Sequence, residues 1–98
     1  MAWFSVRGFF ALDSAYEERV SIWEAESEDG AISRAEADAE RGADDIDGRY
    51  LGLAQSYAMF DEPVAGAEIF SLIRSSDLGE DDYLATFFNT GAEHQRHA

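Results

Sequence analysis

Apolar residues in this chain change period several times, and those changes mark out its elements. From Trp3 to Leu12 they alternate, with Phe4, Val6, Phe10 and Leu12 on one side and Trp3, Ser5, Arg7, Phe9 and Ala11 on the other. That two-residue period predicts a strand whose first set faces the core. Residues 13–18 are polar and of hairpin length. A second strand follows over residues 19–26, where Val20, Ile22 and Trp23 supply β-branched and aromatic bulk.

The period then turns helical. Ala31, Ile32, Ala35 and Ala39 recur at spacings of one, three and four, separated by Arg34, Glu36, Asp38, Glu40 and Arg41. This predicts a helix over residues 28–41 with one narrow apolar stripe. Ser27 is placed to cap it, Glu28 and Asp29 to complement its dipole, and Gly42 to end it in a left-handed conformation. A stripe made mostly of alanine lets a helix lie close to a sheet but adds little apolar area, so its stability has to come from docking.

Beyond an acidic loop over 43–48, a third strand is expected over residues 49–60. Leu51, Leu53, Tyr57 and Met59 line one face; Tyr50, Gly52, Ala54, Ala58 and Phe60 line the other. Gly52 marks a bulge or a close backbone approach. Residues 61–66 carry the Pro and Gly of a turn. A fourth strand over 68–74 sets Phe70 and Leu72 against Ile69 and Ile73, and a second helix spans 79–89. Ser76 or Asp77 is its expected cap, Glu80, Asp81 and Asp82 fill its first turn, and Tyr83, Leu84, Phe87 and Phe88 form an aromatic stripe. Residues 91–98 are expected to fray.

The fold class is therefore α+β: a four-stranded, mainly antiparallel sheet with one helix packed on one face and a C-terminal helix. A crossover passing over strand one gives the order 2-1-3-4, a split β-α-β arrangement. One domain is expected over residues 1–98. The helix covers one sheet face; the other carries Trp3, Arg7, Phe9, Trp23, Tyr57 and Glu68, a candidate interaction face. Either the second helix folds back on that face or a second copy covers it, and an apolar patch of this kind points to a homodimer.

Composition narrows the chemistry. With 46% hydrophobic and 13% aromatic residues, the 98-residue chain can build a core despite its charge. There is no cysteine, which removes disulfides, thiolate nucleophiles and thiolate metal sites. All seven basic residues are arginines, so Schiff-base chemistry and a phosphate-loop lysine are excluded as well. The N-terminal run is interrupted by Arg7 and resembles neither a signal peptide nor a membrane span, so a cytoplasmic location is expected. A formal net charge of −14 disfavours nucleic acid and anionic membranes as partners. It serves solubility, or it steers a basic protein partner.

Candidate sites yield to plainer readings. Asp45-Ile46-Asp47-Gly48 fails as a calcium loop, because the first and twelfth loop positions fall on Ala43 and Ala54. Glu93, His94 and His97 lie in a tail without a supporting element, so no metal site is expected. Glu24, Glu26 and Glu68 lie on or beside strands, but chance pairs are common among 21 acidic residues. No catalytic residue and no cofactor is expected. Arg7, in mid-strand, calls for a carboxylate partner, either Glu68 or Glu24, or else contacts an anion or a partner protein.

Four segments together carry a resemblance: Trp3 to Arg7, Glu24 to Ile32, the long strand over 50–60, and Gly66 to Ser71. They resemble a family of small bacterial domains of unknown function, domain-of-unknown-function family 4288. Its members open with an aromatic-x-Val-Arg strand, pass through an Ala-x-Ser-acidic-acidic-x-Ala joint and close with a Gly-x-Glu-hydrophobic strand. The resemblance covers residues 3–74, leaves 75–98 outside, and implies no activity. The expected function is a non-catalytic, homodimeric protein-interaction domain of the bacterial cytoplasm. The alternatives are an immunity-type inhibitor presenting carboxylates to a basic toxin or nuclease, and a small-molecule-binding domain using a pocket between sheet and second helix.

Overall fold

A computed structural model of the chain describes residues 1–45, 48–89 and 91. Strands β1 (Ala2–Ala11) and β2 (Tyr16–Ala25) form a hairpin, α1 (Glu28–Asp45) crosses over, β3 (Arg49–Ala58) returns, and α2 (Glu80–Phe87) lies near the C-terminus. The α+β class holds, but the sheet has three strands in the order β2-β1-β3. β1 is central and antiparallel to both neighbours, so β2 and β3 run parallel to each other and are joined over β1 by α1. The split β-α-β unit is present without a fourth strand.

The core face of β1 is the expected one. Phe4, Val6 and Phe10 are buried, Trp23 and Ala25 of β2 lie on the same side, and α1 closes it with Ala31 and Ala39. Alanine at these helix positions lets α1 approach closely, so the bulk is supplied by the aromatic rings of the sheet. Ser27 caps α1 as its position suggests: its Oγ accepts a hydrogen bond from the Gly30 N–H at 3.1 Å. The helix does not stop at Gly42 but continues to Asp45. A glycine inside a helix costs only about 1 kcal/mol, which continued backbone hydrogen bonding offsets.

Two further boundaries differ from expectation. The hairpin loop is shorter, because Ala11 pairs with Tyr16 and leaves only residues 12–15 between the strands. Glu17 and Glu18 are thus strand residues, and Arg19 stabilises Glu17 through a 2.6 Å contact. α2 begins after Gly79, with neither Ser76 nor Asp77 at its cap position; the Ser76 Oγ instead accepts from the Leu78 N–H. The bulge expected at Gly52 is present. The β1–β3 register shifts between Gly8 and Phe10, and Gly52 takes a φ of 82°, a value side chains resist.

The missing fourth strand has a local cause. The Ala67 N–H donates to the Val64 carbonyl at 2.9 Å around Gly66, whose φ is 87°. This turn carries the chain beneath the sheet instead of along the free side of β3. Residues 67–77 take no regular secondary structure, and no strand pairs with them. Beyond them, α2 packs against neither α1 nor any strand, and none of its residues is buried. The acidic segment at 46–47 and the histidine-bearing tail at 92–98 lie outside the described residues.

Candidate interaction face

Alternation along β1 sends Trp3, Ser5, Arg7 and Phe9 to the side away from α1. Cross-strand pairing adds Glu24, Ile22, Val20 and Glu18 from β2, and Tyr57 and Gln55 from β3. Five of the six expected face residues, Trp3, Arg7, Phe9, Tyr57 and Glu68, are therefore together. Trp23 is not among them. It pairs with Phe4 and packs on the α1 side, where Arg34 lies 5.4 Å from its ring and the Ser21 Oγ accepts its indole N–H at 2.7 Å. Val20, Ile22 and Trp23 cannot all share a face, because adjacent strand residues point oppositely.

Arg7 is the centre of this face. Its guanidinium lies 4.7 Å from the Phe70 ring and 5.5 Å from the Phe9 ring. One terminal nitrogen donates to Gln55 Oε1 at 2.9 Å and the other lies 3.6 Å from Glu18 Oε1. Neither Glu68 nor Glu24 is its carboxylate. Glu68 accepts instead from the Tyr57 hydroxyl at 2.7 Å, and Phe70 lies 6.0 Å from the Tyr57 ring. Residues 68–70 thus form a strap across the middle of the face, pinned by Arg7 on one side and Tyr57 on the other. Its hydrogen bond to Glu68, then desolvation and the nearby charge, raise the Tyr57 phenol above its ordinary value. Beneath the strap, Ser5 is fully buried; its Oγ and the Nε of Arg7 have no hydrogen-bond partner.

The strap does not cover the whole face. On the β2 side Val20 and Ile22 are 42% and 39% exposed, and Leu51 and Leu53 are exposed around the Gly52 bulge. Glu18, Gln55 and Phe70 were not singled out from sequence. The polar run over 13–18 assigns Glu18 to the hairpin loop, and the partners of Arg7 follow from register, which composition does not encode.

The α1 side carries a separate polar pair. The Tyr50 hydroxyl donates to Glu36 Oε2 at 2.6 Å. Burial first, then that bond and the charges of Glu36 and Glu40, raise its pKa above the ordinary 10.0. It borders a cavity of about 20 Å³ between sheet and helix, together with Phe10, Arg19 and Ser21. That volume is on the scale of a single water molecule. The groove expected between sheet and second helix is not formed, because α2 stands clear of the sheet.

Among the described residues, no group of three or more His, Cys, Asp or Glu side chains is arranged to hold a metal ion. Among them too, no helix is long and apolar enough to cross a membrane. Comparison with family models, with curated proteins and with solved structures finds no match to this chain.

Proposed function

We propose that this chain is a non-catalytic protein-interaction domain of the bacterial cytoplasm that forms a homodimer through the sheet face opposite α1. The observation that carries this reading is the surface the single chain leaves in water. Its accessible area is 7483 Å², whereas a compact monomer of 10.9 kDa is expected to expose roughly 5,600 Å². The surplus, roughly 1,900 Å², exceeds the ~800 Å² that each partner buries in a standard interface and is at the level of obligate dimers. Exposed large apolar side chains occur both on the sheet, at Val20, Ile22, Leu51 and Leu53, and beyond it, at Phe60, Val64, Leu72, Ile73 and Phe88. Sedimentation equilibrium at tens of micromolar tests it, since specific dimers persist at such concentrations. A dimer is expected; a strict monomer overturns the reading.

A second reading rests on charge. Five arginines, Arg7, Arg19, Arg34, Arg41 and Arg74, are engaged in contacts within the chain, while Asp61, Glu62, Glu80, Asp81 and Asp82 are exposed. With a net charge of −14, such a surface suits an inhibitor that presents carboxylates to a basic toxin or nuclease. Its association rate with that partner is expected to fall steeply with salt, and a salt-independent rate sinks it.

A further inference from the structure

The segment from Ser71 to Phe88 carries several large apolar side chains, and its helix α2 packs against no strand and not against α1. Leu72, Ile73, Leu84, Phe87 and Phe88 are all exposed. α2 has eight residues and no side-chain cap, whereas isolated helices shorter than about 12 residues are marginal in water. Its one local support is a cluster in which Arg74 lies 4.7 Å from the Phe87 ring and donates to the Tyr83 hydroxyl, with Tyr83 and Phe87 at 4.8 Å. A helix of this kind is built to dock elsewhere.

We infer that this arm is exchanged between two copies, so that α2 of each covers Val20 and Ile22 on the sheet of the other. The inference rests on the homodimer reading and adds which surfaces meet. Two observations lead to a second copy as the occupant. Residues 68–70 already show this stretch of chain covering the same face, with Phe70 over Arg7 and Tyr57, and they stop short of the β2 side. Two reciprocal contacts also bury the sheet face and the arm at once, as the surplus surface requires. The acidic first turn, Glu80 to Asp82, stays in water. Exchange of α2 costs little, because it gives up no packing against α1 or the sheet of its own chain.

The chain contains no cysteine, so introduced thiols report without background. Full-length Val20→Cys and Leu84→Cys variants, mixed and mildly oxidised, are expected to give a mixed disulfide-linked dimer as the main product. The double variant is expected to give a dimer closed by two inter-chain disulfides. An intra-chain disulfide in the double variant overturns the exchange, because the arm then covers its own sheet. A dimer in sedimentation whose Val20 thiols link only to each other, or that yields no disulfide in any pairing, also overturns the exchange while leaving the homodimer standing. A monomer in sedimentation removes both. Independently, Phe87→Asp is expected to weaken dimerisation at least tenfold with the far-ultraviolet circular dichroism of the sheet and α1 retained; unchanged dimerisation contradicts the exchange.

Discussion

Ser5 shows how tightly the strap closes over the sheet. The residue is 1% exposed, and its hydroxyl, like the Nε of Arg7 nearby, is buried without a hydrogen-bond partner. A buried donor without a partner costs on the order of 1–3 kcal/mol, whereas removing it recovers part of that cost. Ser5→Ala is therefore expected to leave stability unchanged or raise it by up to about 1 kcal/mol in urea unfolding; a loss above about 1 kcal/mol would show that the hydroxyl has a partner. Arg7, two residues on, uses its planar group differently, lying over the Phe70 ring while a terminal nitrogen donates to Gln55. A lysine there retains the charge but neither the stacking nor the fork. Reading these two residues from sequence went as far as their face: the alternation of β1 assigned it, but Glu18 and Gln55 became partners only through cross-strand register.

Among the elements, β3 and the turn that follows it decide how the second face is covered. Gly66 holds a φ of 87° in the turn that sends residues 67–70 beneath the sheet. An alanine there meets no neighbouring atom, so the cost of Gly66→Ala is conformational, about 1 kcal/mol. Urea unfolding is expected to record that loss, and an unchanged midpoint would mean that the turn tolerates another geometry. The contact between α1 and β3 has its own signature in pH. Burial and Glu36 favour the neutral Tyr50 phenol in the fold, raising its pKa above 10.0. Its contribution is therefore full below pH 10.0 and is lost as pH rises through the folded-state value. Stability is expected to fall on the alkaline side, and Tyr50→Phe to flatten that fall in denaturation curves measured on either side of the ordinary tyrosine value. An equally steep fall in the variant would assign it to other groups.

For the whole molecule, charge and apolar surface oppose each other. Two copies of −14 repel, so the homodimer has to draw its stability from buried apolar area. Raising ionic strength from about 0.05 to 0.5 M shortens the Debye length from roughly 14 to 4 Å. Self-association is then expected to tighten severalfold, because like charges are screened while burial is not. A complex with a basic protein would respond in the opposite direction. Sedimentation equilibrium across that salt range separates the two readings, and a dimer that loosens with salt would contradict an apolar interface.

Local order in the sequence determined the parts of this protein whose physics is local. The two-residue period set the core face of β1, the alanine stripe with its Ser27 cap set where α1 begins and how it docks, and a glycine in a strand marked the bulge. Each depends on residues a few positions apart. Segment 67–77 shows the limit. Its alternation satisfies a strand, but a strand exists only when another main chain lies alongside, and the turn at Gly66 takes the segment under the sheet instead. The removal of Trp23 from the open face, the pairing of Arg7 with Glu18 and Gln55, and the exposure of α2 are of the same kind. They depend on register and on distances between residues far apart in the chain, which only tertiary structure decided.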